Sequence, residues 1–266
     1  MQGFKRSLLA AVSAVFVLCA GLAAAGAAAA QAATAAAAQG VPDTMAQRLK
    51  ACTACHGDAS APPAPDGGQG QARRGDERRY FPRIAGKPSG YLYNQLRNFR
   101  EGRRQYPLMT WMVDHLSDDY LREIADYFSN QHLAAPVLDR ATLPAAQLAR
   151  GHQLVTRGDE ALKVPACVAC HGERLSGALP AIPGLLGLPR DYINAQFGAW
   201  RTGTRRAHAP DCMAAIAKRL SLDDVAAISA WLASEPQPPD SHPDARPVAD
   251  VARPLPLACG SAPEQP

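Results

Sequence analysis

Apolar residues in this chain recur at helical spacing. After Ser117, Leu121, Ile124, Ala125 and Phe128 fall on one face of a helix; after Ser221, Leu222, Val225, Ile228 and Leu232 do the same. Each serine is followed by two aspartates, Asp118-Asp119 and Asp223-Asp224, the signature of an N-cap with an acidic first turn. A second pair of helices is predicted over Tyr91 to Arg100 and Tyr192 to Arg201, each stopped near a glycine. A further helix begins between Leu143 and Val155. No sustained alternation of apolar and polar residues suggests a sheet, so the expected class is all-α.

The helices come in pairs because the chain repeats itself. Phe81-Pro82-Arg83-Ile84-Ala85-Gly86 matches Ile182-Pro183-Gly184-Leu185-Leu186-Gly187 at an offset of 101. The same offset aligns Tyr91 with Tyr192, Gln95 with Gln196, Phe99 with Trp200, Arg100 with Arg201 and Gly102 with Gly203. Met109 pairs with Met213, and Leu116-Ser117 with Leu220-Ser221, at an offset of 104. Two tandem helical domains are expected, residues 41–135 and 141–235. The first carries an inserted Pro/Gly-rich basic loop from Ala59 to Tyr80.

The ends differ from this repeat. Lys5 and Arg6 precede an apolar run from Leu8 to Leu22 and a small-residue site at Ala30-Gln31-Ala32, so residues 1–32 read as a secretory signal peptide. An uncleaved signal anchor is the alternative. Cys19 follows Leu18, which is bulky where a lipoprotein signal needs a small residue. No other stretch reaches the roughly 20 apolar residues of a membrane span. The mature chain is therefore expected in the periplasm, soluble or peripheral to the membrane. Residues 236–266 hold nine prolines in 31 positions and read as an extended tail.

Charge adds one feature. The formal net charge is +4, yet Arg73 to Arg104 carries ten Lys/Arg against three Asp/Glu. Such a segment is either a solvated face or a docking surface for an acidic redox partner. No recognition motif accompanies it, so a nucleic-acid role is not expected.

The chemistry lies in two copies of one motif, Cys52-Thr53-Ala54-Cys55-His56 and Cys167-Val168-Ala169-Cys170-His171. Cys-x-x-Cys-His attaches a c-type haem: the thiols form thioethers with the haem vinyl groups, and the histidine presents a neutral nitrogen to iron. A zinc half-site or a dithiol redox pair has no need of a histidine directly after the second cysteine. Two covalent haem c groups are expected.

The second axial ligand separates an electron carrier from an open, reactive haem. Methionine sulfur is a soft ligand that raises the potential. Met213 is the sole methionine after the second motif, seven residues before Leu220; Met109 lies seven before Leu116. Met112 has Ile216 in the equivalent place, so the duplication favours Met109. His115 and His208 are competing ligands by position. Pro82 and Pro183 sit where a backbone carbonyl could accept the proton of each ligating imidazole.

Both Cys-x-x-Cys-His motifs, Phe81-Pro82, Ala85-Gly86, Tyr91, Gln95-Leu96, Met109-Thr110-Trp111-Met112 and Leu116-Ser117-Asp118 together resemble the di-haem cytochrome c4 family, from about Met45 to Ala233. The resemblance implies two class I cytochrome c folds with ligand pairs His56/Met109 and His171/Met213. It further implies a periplasmic electron carrier, not an enzyme, with a quinol-oxidising complex or dehydrogenase as donor and a terminal oxidase as acceptor. The alternatives are a cytochrome subunit of a dehydrogenase and a di-haem peroxidase-like enzyme. The basic insertion and the tail depart from the family. Two cysteines remain, Cys212 and Cys259, and an even remainder in an oxidising compartment suggests a disulfide.

Overall fold

A computed structural model describes residues 43–57, 81–131, 144–238, 240–245 and 255–262. The expected signal peptide, the basic insertion and the junction between the two halves lie outside the described residues. The chain forms two compact units, Met1–Arg48 and Leu49–Pro266. In the first, helix α1 (Met45–Arg48) is described, and Arg48 pairs with Asp43 at 2.6 Å.

The second unit contains both repeats. Its first half comprises α2 (Lys50–His56), α3 (Ser89–Arg100), α4 (Pro107–Val113) and α5 (Asp118–Ser129). Its second half comprises α6 (Ala145–Thr156), α7 (Val168–His171), α8 (Arg190–Thr202), α9 (Cys212–Arg219) and α10 (Leu222–Ser234). Both serine caps form. Ser117 accepts from the Tyr120 amide at 3.2 Å, and Ser221 makes a reciprocal capping box with Asp224.

Packing follows the apolar stripes. In the first half α3 lies on α5, burying Leu92, Phe99, Leu121, Ile124 and Phe128. In the second, Leu154 and Val155 of α6 meet Ile228 and Leu232 of α10, with Ile193 and Phe197 of α8 completing the core. The α6–α10 crossing is close at Gly151, where a Cβ would lie 2.2 Å from the Ala227 carbonyl oxygen.

The structure adds a two-stranded element that periodicity did not reveal. Strands β1 (Gly177–Ala178) and β2 (Ile182–Pro183) pair antiparallel, with Gly177 opposite Pro183. Gly177 has φ +94° and its absent Cβ would fall 2.5 Å from the Ile182 oxygen, so only glycine suits this turn. The tail is docked over its described residues. Asp244 exchanges backbone hydrogen bonds with Gly177 and Leu179, each at 2.8 Å, and Arg174 reaches both Asp240 and Asp244.

The halves meet along a short antiparallel bridge between Arg104 and Arg205. Gln105 N–H donates to the Thr204 oxygen at 2.8 Å, and Arg206 N–H to the Arg103 oxygen at 2.7 Å. Arg83, Lys87, Arg97, Arg100, Arg103 and Arg104 all engage partners within the fold. Of these, Arg83, Lys87, Arg103 and Arg104 reach residues of the second half, so part of the basic stretch also ties the two halves together. Its remaining cations, Arg73 to Arg79, are not among the described residues.

Two stability outcomes are expected. Gly151→Ala gains about 1 kcal/mol of helix propensity, but forcing a methyl against backbone costs about 1–3 kcal/mol. The net result is a lower urea midpoint with unchanged slope, followed by circular dichroism. Arg150 binds Asp224 at 2.8 Å and Asp159 at 2.9 Å. Burial works to raise the Asp224 carboxyl, but its bonds to Arg150 and Ser221 override this and hold it below 3.8; the Arg150 bond lowers Asp159 directly. Carboxyls depressed in this way stabilise the fold above the unfolded pKa, and that stability is lost as pH falls through the folded value. Arg150→Met should therefore move acid unfolding to higher pH in a titration monitored by far-ultraviolet dichroism.

Candidate haem-binding sites

Each Cys-x-x-Cys-His motif closes on a single helical turn. Cys52, Cys55 and His56 lie on α2, while Cys167 is the N-cap of α7 and Cys170 and His171 lie within it. Burial raises the Cys52 and Cys170 thiols and pushes Cys167 up to about 12, with Cys170 beside it adding to the effect. Thiols held protonated by burial are poor redox nucleophiles. Among the described residues no three His, Cys, Asp or Glu side chains converge as a metal-holding group.

The two imidazoles are held identically. His56 Nδ1 lies 2.9 Å from the Pro82 carbonyl oxygen, and His171 Nδ1 lies 2.7 Å from the Pro183 carbonyl oxygen. A carbonyl can only accept, so Nδ1 carries the proton and Nε2 keeps its lone pair. Burial lowers both histidine pKa values and outweighs the Pro bond, with Arg104 adding to the effect at His56 and Lys87 at His171. Both rings are neutral and held in a fixed orientation. Phe81 stands edge-on to His56 at 6.4 Å. Pro183 is the end of β2, so the small hairpin is what presents the second carbonyl.

His171, Cys167, Cys170 and Met213 line one cavity, whose walls are otherwise largely apolar, among them Leu185, Phe197, Ile216 and Ile228. Such a set fits a flat apolar macrocycle with one nitrogen and one sulfur donor available. Met109 on α4 and Met213 on α9 are both half-buried on equivalent helices. His115 is 93% exposed on its side chain, and His208 Nε2 is taken by Arg103 at 3.0 Å, so neither is positioned as a ligand.

Cys212 and Cys259 are joined, with their Cα atoms 5.0 Å apart. The disulfide clamps the tail onto α9 directly beside Met213, and Leu255, Leu257 and Ser261 join the cavity wall. Three cations missed at the sequence level also belong here. Lys87 of the first half donates to the Gly184 oxygen at 2.9 Å and lines the second cavity. Arg104 and Arg205 are buried between the halves. They too align at an offset of 101, which could have flagged them.

Paired Cys-x-x-Cys-His turns, each with a neutral oriented imidazole in a mainly helical fold, define a di-haem c-type cytochrome. No protein-family model matches the chain. It is 34% identical over 74% of its length to the thiosulfate dehydrogenase electron acceptor of Thiomonas intermedia (strain K12), covering 83% of that protein. It is 33% identical over 71% of its length to cytochrome c4 of Pseudomonas aeruginosa, covering 87% of it. Among solved structures, reduced cytochrome c4 from Pseudomonas stutzeri superposes with a TM-score of 0.56 at 29% identity, over 71% of this chain and 95% of that one. Thiosulfate dehydrogenase from Marichromatium purpuratum gives 0.58 at 29% identity, over 70% of this chain but 36% of that one. The chain belongs to the cytochrome c4 family. It is an electron-transfer protein with two covalently bound haem c groups.

Replacing Cys212 and Cys259 together by serine should lower unfolding stability by about 2–4 kcal/mol, the usual worth of a bridge closing a long loop. Guanidinium titration of the oxidised protein measures it.

Proposed function

We propose that Cys52, Cys55, Cys167 and Cys170 form the haem thioethers, and that His56 with Met109 and His171 with Met213 are the axial pairs. The observation that carries this is the matched pair of imidazoles, each bound through Nδ1 to a proline carbonyl directly after a cysteine pair. The bound haem supplies a one-electron couple. The protein's residues keep each histidine uncharged, fix its ring and, around His171, surround it with a largely apolar wall. A low reorganisation cost follows, which is what a carrier needs. The haem domains are read as 41–135 and 141–235, with residues 1–32 directing export to the periplasm.

For the partner, two curated relatives bear the name of acceptor for thiosulfate dehydrogenase, and we read this chain as accepting electrons from a periplasmic dehydrogenase and passing them towards a terminal oxidase. A quinol-oxidising complex is the other candidate donor, and peripheral association with the membrane would suit it. Among the described residues no helix is long and apolar enough to cross a membrane. An asymmetry favours contact through the first half. Leu108 and Trp111 beside Met109 are 48% and 74% exposed, whereas α9 beside Met213 is covered by the disulfide-bound tail.

The visible spectrum tests the ligand set. Two low-spin haems per chain, a methionine–ferric charge-transfer band and no shift with carbon monoxide are expected. Met109→Ala and Met213→Ala should each remove about half of that band and open one iron to carbon monoxide. A band unaffected by either substitution would reject the assignment.

A further inference from the structure

The chain that follows α10 returns to both sides of the cavity that holds His171 and Met213. On the histidine side, the Asp244 backbone pairs with Gly177 and Leu179, and its carboxylate stands against Gly172, where a Cβ would lie 2.5 Å from Oδ2. Arg174, just after His171, binds Asp240 at 3.2 Å and Asp244 at 2.7 Å. On the methionine side, Cys259 is bonded to Cys212, the first residue of α9 and the neighbour of Met213. Gly260 N–H donates to the Pro210 oxygen at 2.9 Å, and a Cβ on Gly260 would fall 2.2 Å from the Ala209 oxygen. The tail thus lies directly on the turn that leads into α9.

Between residues 255 and 260 exposure alternates. Leu255, Leu257 and Cys259 are half-buried and line the cavity, whereas Pro256, Ala258 and Gly260 are exposed. An extended segment presents alternate side chains to one side, so this stretch lays an apolar edge along the cavity that Met213 shares. Asn94 of the first half donates to the Ser261 oxygen at 3.3 Å and holds the segment from its other flank. Asp211 adds a cap inside the turn itself, accepting from the Ala207 N–H at 2.7 Å and the Ala214 N–H at 3.0 Å.

Among the described residues the first half has the equivalent methionine helix without these ties. Its N-cap, Tyr106, gives α4 no side-chain cap, no disulfide reaches it, and Leu108 and Trp111 stand in solvent. A turn held only by its own helix opens locally at small cost. A turn bonded to a second segment that is itself pinned elsewhere must break those contacts to open.

We propose that residues 240–245 and 255–262 form an axial latch for the second haem: anchored at Arg174 and β1 and bonded at Cys212, they hold Met213 in place, so that Met213 leaves iron more rarely than Met109 does. This rests on the haem and ligand assignments above and adds a role for residues outside them. Leu255, Leu257 and Cys259 are positioning residues that act through α9 without touching iron. A ligand from solution reaches ferric iron only in the fraction of molecules whose methionine is off, so its apparent affinity reports that fraction.

The test uses the full holoprotein, oxidised and titrated with imidazole. Loss of the methionine–ferric band and movement of the hyperfine-shifted haem methyl resonances give an affinity for each haem, and Met213→Ala assigns the second set. In wild type the first haem should take imidazole more readily than the second. Cys212→Ser together with Cys259→Ser should raise the second haem's affinity by roughly tenfold or more and leave the first unchanged, as a larger open fraction at one site requires. An unchanged second affinity in that variant would make the disulfide a structural brace and overturn the latch. An equal rise at both haems, or a wild-type second haem that takes imidazole as readily as the first, would overturn it too. Should the variant not retain two haems, the mature wild-type protein decides: its bond is reduced with a phosphine, both thiols are alkylated and the iron is reoxidised before the same titration. Failure of the ligand assignments appears separately, as a wild-type spectrum lacking the methionine band.

Discussion

A histidine that is to bind iron must be neutral and must point one nitrogen away from every other partner. In this protein burial meets the first demand and a backbone carbonyl the second, and much of the fold serves to put that carbonyl in place. The Pro82 and Pro183 oxygens take the Nδ1 protons of His56 and His171. Proline lacks an N–H, so its position is set by ring geometry and by what flanks it, and in the second half the β1–β2 hairpin supplies the flank. Burial then guards the neutral form, since a charged imidazole would be stranded in an apolar wall.

Helical packing arranges the rest around these two bonds. The α3–α5 pair and the α6–α10 pair make the cores, and the methionine-bearing helices α4 and α9 close against α3 and α8. The repeats are alike in these elements and unlike at their edges. The first half leaves Trp111 of its methionine helix in solvent. The second half receives the returning tail, fastened by Cys212–Cys259 and by the backbone pairing of Asp244. Chemical similarity of the two sites therefore coexists with different access to them.

Much of this was legible in the sequence. The haem motifs, the all-α class, both serine caps and the helices following them were readable because each depends on local spacing. The bond from imidazole to proline carbonyl was also readable, since the repeat preserved Pro82 and Pro183 at the same place relative to the helices. The disulfide followed from counting cysteines. What escaped were the features created when the halves meet. Arg104 stood in a run of cations that looked like a solvated face, yet its guanidinium is covered by residues about 90 positions later, Tyr192 and Gln196. Lys87 is similar, because its acceptor, Gly184, belongs to the other repeat. Periodicity reports which face of a helix is inward; it carries no sign of a buried charge whose burial is made by another copy of the same motif. The two-residue strands were too short to alternate.

The cavity of the second half has Lys87, Tyr91, Gln95 and Asn98 of the first half in its wall. Duplication normally yields interchangeable modules, each able to be trimmed away from its neighbour. Here the boundary of the repeat in the gene and the boundary of the cavity in space do not coincide. A chain cut between the halves would keep His171, Met213 and both attachment cysteines, but it would part the cavity from four of its wall residues.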